Sequence, residues 1–323
     1  MTTSITVVDV GHGNCTLIRD GSFTALVDVA PGDVPLSLLE DLNISHLDAV
    51  VISHADDDHI GGLANLLLAV DVAAVWVNGD PARSGKSWDA ARAALQVAED
   101  GDRTVVHAAV GAGTRIVSPS GRVALTVLAP AGANLLYGTG VAPPNSGRNT
   151  ANGLSAIVAV SVDGHVQALL TGDADSRAFK KLHASKANLR ANILVFPHHG
   201  GLSNGPTERF AMDLCDAVQP EVVVFSVGRA KRGFPRSEIV AAVRSRSSAH
   251  VACTQLNVEC AVRLPRDPSA HLHPTASAAG RTGGMCCAGT LEVDFSASAP
   301  SYSPSLSSHR QFVVSSAPTR MCR

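Results

Sequence analysis

The stretch Ala49-Val50-Val51-Ile52-Ser53-His54-Ala55-Asp56-Asp57-Asp58-His59-Ile60-Gly61-Gly62 decides how the chain is read. Its first four residues are apolar and mostly β-branched, the pattern of a strand buried on both faces. The strand delivers two imidazoles and three carboxylates within six residues, and two glycines follow. Folding alone gives no reason for such a concentration. Carboxylates and imidazoles crowded at a strand end repel and desolvate one another unless a positive charge sits among them. A divalent metal ion meets that need. The glycines let the backbone pass close to its neighbours and start a helix. An acidic surface turn with incidental histidines would leave both the glycine pair and the buried strand unexplained.

Two further segments share this grammar. Ala168-Leu169-Leu170-Thr171-Gly172-Asp173 is an apolar strand ending in a carboxylate, and Ile193-Leu194-Val195-Phe196-Pro197-His198-His199-Gly200-Gly201 is one ending in paired histidines. An Asp after Gly is ordinarily a turn or a helix cap. Three strand ends of metal-ligand type in one chain are another matter, because α/β folds build their sites where the ends of core strands converge.

Strands are predicted over residues 5–10, 15–18, 24–29, 49–53, 74–77, 104–108, 123–128, 155–162, 166–170, 192–196 and 221–227. Helices are predicted over 36–42, 62–69, 88–100, 176–189, 207–218 and 235–245, the last opening on a proline in its first turn. Strands with and without an intervening helix are mixed, which favours two sheets carrying helices outside over one doubly wound sheet. Residues 129–151, rich in Gly, Pro and Asn, read as a long loop. After about residue 250 the texture changes, and 296–308 is low in complexity. This predicts a main domain over 1–250 and an extension over 251–323, flexible near 296–308.

Composition sets outer limits. At 323 residues and 45% hydrophobic, the chain has enough apolar side chain for a large core, which excludes disorder as its default. The formal net charge of -2 means that nucleic acid could be met only by a local basic patch. The best apolar run, residues 64–77, is broken by Asn65 and Asp71, so no membrane span is expected. No basic region followed by an apolar stretch opens the chain, so the expected location is cytoplasmic.

His54-x-Asp56-x-Asp58-His59 with its Gly-Gly, followed by LLTGD and PHHG, resembles the metallo-β-lactamase superfamily. More narrowly, the chain resembles the hydrolase domain of ComEC-type DNA-uptake proteins, whose motif also has Asp at the second ligand position. The openings VVDVGHGNCTLIRDG and TALVDVAPG match that group's first hairpin. The resemblance implies an α+β fold, a four-layer αββα sandwich, here with a Cys-rich C-terminal extension. It implies His54, Asp56, Asp58, His59, Asp173 and His198 as metal ligands, with His199 as the alternative to His198. Asp173 would bridge two ions, and catalysis would fall to Asp58, Asp173 and His199. Asp28 and Asn152 would support the ligands from behind. There are departures too. His12, Asn14 and Cys15 replace the usual Gln, Asp and Ser of the first turn, and Gly233-Phe234-Pro235 stands where a late histidine is usual.

The chemistry implied is hydrolysis with two divalent ions, which lower the pKa of a shared water. Asp56 in place of a histidine makes the site richer in oxygen and moves preference from Zn²⁺ towards Mn²⁺ or Mg²⁺. A metal-dependent phosphodiesterase or nuclease acting on DNA is the leading expectation, with a protein partner in DNA uptake or defence. Against it stand a small-molecule hydrolase of a lactone, thioester or β-lactam, and a metal-binding scaffold for a partner protein. The basic run Arg229, Lys231, Arg232 and Arg236 is the expected nucleic-acid contact, the alternative being a solvated helix face. In the tail, Cys253, Cys260, Cys286 and Cys287 leave three readings open: an additional structural Zn²⁺ site, buried thiols, or a disulfide. Cys322 belongs to the same cluster or stands apart.

Overall fold

Successive side chains of a strand point to opposite faces, so a strand that is apolar at every position must be covered on both sides. The core strands obey this rule residue by residue. In Ala49–Ile52, Ala49 and Val51 enter one buried cluster while Val50 and Ile52 enter another. In Val222–Phe225, Val222 and Val224 face the cluster that holds Ala49, and Val223 and Phe225 face a third. The computed structural model describes residues 2–321 other than 79–82, 145–146, 230–232, 266–269, 275, 318 and 320.

The shared cluster lies between two sheets. The first runs, in spatial order, Ser301–Ser303, Leu291–Asp294, Thr3–Val7, Thr16–Asp20, Phe23–Val27, Ala49–Ile52, Ala74–Val77 and Val105–His107. The second runs His250–Cys253, Val222–Phe225, Ile193–Val195, His165–Leu170, Ile157–Val162, Val123–Ala129 and Arg115–Val117. Helices cover the outer faces. Leu38 and Leu39 of Val34–Asp41, Leu63 and Leu66 of Leu63–Ala69, and Trp88 and Leu95 of Lys86–Asp100 pack on the first sheet. Phe179 of Ser176–Ala184, Phe210 and Leu214 of Thr207–Val218, Ile239 of Ser237–Arg246 and Phe312 of Leu306–Ser316 pack on the second. The result is the expected four-layer sandwich of helices, sheet, sheet and helices.

The expected boundary at 250 is corrected. It falls at the first residue of the strand His250–Cys253, which pairs in parallel with Val222–Phe225. Beyond it, Leu291–Asp294 pairs antiparallel with Thr3–Val7 in the register Ser4↔Asp294 to Val7↔Leu291. The tail therefore completes both sheets instead of forming an appendage. The segment expected to be flexible contains Ser301–Ser303 and the start of Leu306–Ser316, whose cap Ser305 accepts the Ser308 N–H. The helix predicted over 176–189 stops at Ala184, just before Lys186 takes a left-handed φ of 59°.

What positions the site is strand direction. Phe23–Val27, Ala49–Ile52 and Ala74–Val77 are mutually parallel, as are His165–Leu170, Ile193–Val195 and Val222–Phe225. The loops that follow their carboxyl ends carry Asp28, Ser53 to His59, Asp173, His198, His199 and Ser226.

Candidate metal centre

The chain turns sharply after Ile52 and enters the short helix Asp57–Ile60. The glycines behind it are required by close approach. A Cβ on Gly62 would lie 2.4 Å from the Ala30 carbonyl oxygen, and one on Gly61 would lie 2.5 Å from that of Asp57. This packing brings the helix against the loop that carries Asp28. Asp28 Oδ1 accepts the Ser53 N–H at 2.7 Å, and its Oδ2 accepts the Ser53 hydroxyl at 2.9 Å and meets His59 Nδ1 at 2.7 Å. Asp28 therefore orients His59.

Asp173 stands at the centre. Its backbone N–H is donated to Ser155 Oγ at 3.0 Å. Gly172 ahead of it has φ 48°, and a Cβ there would meet Ser155 Oγ at 2.4 Å. His59 Nε2 lies 3.0 Å from Asp173 Oδ1, and His199 Nε2 lies 3.5 Å from the same oxygen and 3.4 Å from Asp58 Oδ2. On the other side, His54 Nε2 is 3.8 Å from Asp173 Oδ2 and 3.6 Å from Asp56 Oδ2. Two groups of donor atoms result, His54 with His59 and Asp173, and His12 with Asp58 and His199, each within 4.8 Å of one another.

Four sequence expectations are corrected or moved. The favoured ligand among the paired histidines was His198, but His199 is the one turned inward. His199 is 1% exposed, with its Nδ1 facing the Ser226 carbonyl at 2.8 Å. The His198 side chain is 35% exposed at the rim, its Nδ1 facing the Leu202 carbonyl and its Nε2 3.8 Å from Asp173 Oδ2. Successive left-handed φ values of 52° and 54° at these two residues reverse the chain and separate the rings. The supporting role expected of Asn152 falls to Ser155: Asn152 lies in a 3₁₀ turn and its side chain makes no hydrogen bond among the described residues, whereas Ser155 Oγ is 3.4 Å from His54 Nδ1.

The two described members of the basic run, Arg229 and Arg236, are each engaged within the chain. Arg229 donates to the carbonyls of Leu256, Ala261 and Val262, fastening the tail instead of facing outward. Arg236 pairs with Glu238, and Lys231 and Arg232 lie outside the described residues. The tail cysteines join no metal-binding group among the described residues. The Cys286 thiol donates to Asp9 at 3.3 Å and Cys287 Sγ lies 3.3 Å from His309 Nε2, so the two neighbours point to different partners. Cys322 lies outside the described residues.

Two members of the site were missed from sequence. His12 Nε2 is 3.5 Å from Asp58 Oδ2, and its ring lies 4.5 Å from that of His199. Arg83 Nη2 is 2.5 Å from Asp56 Oδ1, an ion pair without hydrogen-bond alignment. His12 stood in the sequence only as a departure from a pattern. Arg83 carried no local signal beyond following a core strand.

The electrostatics suit a cation. Burial acts to raise the Asp173 pKa, but the imidazoles of His59 and His199 outweigh it and hold the carboxyl well below its ordinary range. Burial opposes the charge of His59 as well, and Asp173 and Asp28 push its pKa well above the usual imidazole value. Asp58 and Asp56 are also lowered against their burial, by His199 and by His54 respectively. Buried polar atoms without partners are rare in folded proteins. Here four converge: His54 Nε2, His59 Nε2, His199 Nε2 and Asp173 Oδ1. They are the nitrogen and oxygen donors that divalent ions take, and their second nitrogens are held from behind as metal-ligating histidines require. The residues present fit the metal.

A family model described as the metallo-beta-lactamase superfamily matches residues 8–185. The chain belongs to this superfamily. It is a metal-dependent hydrolase by that membership, and its two His/Asp groups are candidates to hold the metal. Among solved structures, it is similar to the metallo-beta-lactamase fold protein YhfI from Bacillus subtilis, with 14% identity and a TM-score of 0.49 over 78% of this chain and 96% of that one. It is also similar to Igni18, a metallo hydrolase from Ignicoccus hospitalis, with 15% identity and a TM-score of 0.49 over 78% and 95% of the two chains. No curated protein sequence matches the chain. Among the described residues, no helix is long and apolar enough to cross a membrane.

Proposed function

We propose that this superfamily member hydrolyses phosphodiester bonds and that its polymer substrate is DNA. The observation that carries the reading is the donor set, in which Asp56 and Asp58 stand with His54, His59 and His199 around the central Asp173 carboxylate. Carboxylate-rich sites suit Mn²⁺ and Mg²⁺ as well as Zn²⁺. Bound there, such ions supply activation of water and neutralisation of charge at phosphorus.

The chain's own residues do the rest. Asp28 and the Ser226 carbonyl engage the Nδ1 atoms of His59 and His199, which leaves both Nε2 atoms for the ions. His198, held at Nδ1 and standing at the rim, is positioned to give a proton from Nε2 to a leaving oxygen. Arg83 presents a guanidinium beside Asp56, a group suited to paired contacts with phosphate. The first-loop resemblance to ComEC-type proteins supports DNA as the polymer and a protein partner in its uptake or in defence against it.

The test is metal analysis of purified protein, then chelation, reloading with Mn²⁺, Mg²⁺ or Zn²⁺, and assay on single- and double-stranded DNA and a small chromogenic phosphodiester. Metal-dependent cleavage of DNA is the expected result. The internal engagement of Arg229 and Arg236 favours, as the second reading, a small-molecule hydrolase. Turnover of a lactone, thioester or β-lactam without DNA cleavage would put that reading first.

A further inference from the structure

We propose that His12 is a ligand of the ion held by Asp58 and His199, so that the two halves of the centre bind metal with unequal strength. The inference rests on the metal-binding reading of the centre and not on its substrate. His12 Nε2 and His199 Nε2 approach the same oxygen, Asp58 Oδ2, at 3.5 and 3.4 Å. His199 is almost wholly buried, and its Nε2 has no hydrogen-bond partner. Two imidazoles and a carboxylate aimed at one point, with Asp173 Oδ1 3.5 Å from His199 Nε2, make a set of the kind that Zn²⁺ takes.

The position of His12 is built, not incidental. The Gly13 carbonyl accepts the Ser226 hydroxyl at 2.6 Å, and the Asn14 N–H is donated to the Asp58 carbonyl at 3.0 Å. Gly228 leaves room for the loop, since a Cβ there would come within 2.8 Å of the His12 nitrogen. The Phe234 ring stacks on His12 with centroids 5.5 Å apart and planes at 18°. These contacts fix the ring from both sides of the loop, so little freedom is lost when it takes a metal.

The other half, His54, His59 and Asp173, has the same donor types and differs in the charge beside it. His54 is joined there by Asp56, and Asp56 is already neutralised by Arg83 at 2.5 Å. A cation entering this half competes with a guanidinium for the carboxylate, and among the described residues no such competitor stands beside Asp58. The first ion therefore enters at His12, Asp58 and His199, and the second binds more weakly beside His54.

Metal-free full-length protein is titrated with Zn²⁺ against a competing chelator dye, and with Co²⁺ followed by its visible absorption. Wild type is expected to take up ions in two steps. His12→Gln should weaken the tight step by at least about tenfold, the scale that even outer-shell partners carry. It should also change the Co²⁺ absorption of the first ion while leaving the second step in place. His54→Gln should weaken the second step only. Far-UV circular dichroism and a melting curve confirm that the variants fold. A folded His12→Gln protein with an unaltered tight step and an unaltered Co²⁺ spectrum overturns the proposal and leaves the hydrolase reading intact. Wild-type protein that takes up no ion overturns both.

Discussion

Asp9 and Asp173 are both almost wholly buried, at 0% and 3% exposure, and their surroundings are opposite. Asp9 Oδ1 accepts the Gly11 N–H at 3.1 Å and the Gln255 amide at 2.9 Å, and its Oδ2 accepts the Gly280 N–H at 3.0 Å and the Cys286 thiol. Every partner is neutral, so burial prevails and the Asp9 pKa is raised. Asp173 is ringed by imidazoles, its pKa is held low, and its Oδ1 has no hydrogen-bond partner. Burial alone does not mark a functional carboxylate. A buried acid whose oxygens are all met by neutral donors is a clamp, here tying the tail to the first loop. One that is balanced by charge and left short of partners has the chemistry of a candidate metal ligand.

The comparison can be broken most forcefully at its functional end. Asp173→Ala is expected to abolish metal uptake and hydrolysis while the protein still folds, checked by metal analysis, turnover and a melting curve. Retained metal at wild-type stoichiometry would remove Asp173 from the centre. Asp9→Ala should do the reverse. It leaves several buried donors without an acceptor, at about 1–3 kcal/mol each, and should lower the urea midpoint substantially with metal stoichiometry unchanged. Arg229→Ala extends the contrast to cations: loss of the contacts to three carbonyls should cost about 1–3 kcal/mol and leave any DNA affinity unaltered. A drop in DNA affinity with unchanged stability would restore Arg229 to the nucleic-acid surface.

The smallest effect is a graded one in pH. Because the folded pKa of Asp9 is raised above its unfolded value of about 3.9, folding favours its protonated form. Its contribution is therefore fully present below about pH 3.9 and is lost as pH rises through the folded pKa. Relative to Asp9→Asn, the wild type should lose stability over that window and then run parallel to the variant. Denaturation midpoints across the acid range check it, and parallel curves throughout would show that Asp9 does not titrate differently on folding.

The parts of the centre that could be read from sequence are those where an apolar run ends in its own donor. His54 to His59, Asp173 and the paired histidines all follow this local rule, and the layered fold follows from the same buried strands. What could not be read depends on chain segments meeting in space. His12 is a lone imidazole in a loop until Asp58 is brought against it. Ser155 replaces Asn152 because a 3₁₀ turn carries the useful hydroxyl three residues further on. Which of His198 and His199 points inward is decided by two left-handed residues, a feature that periodicity does not reveal. Arg229 looked like one cation in a basic run because the carbonyls that engage it come from residues 256–262.

The pairing of Thr3–Val7 with Leu291–Asp294 also has a consequence for the order of assembly. During synthesis the strand Thr3–Val7 is hydrogen-bonded on one side by Thr16–Asp20 and waits for a partner about 290 residues later, Ser4 pairing with Asp294. At the usual pace of synthesis, about 5–20 residues per second, that edge stands bare for more than ten seconds. Bare strand edges are templates for pairing with other chains. Such distant closure raises contact order and slows folding, so the nascent chain is exposed to self-association until Leu291–Asp294 has been added.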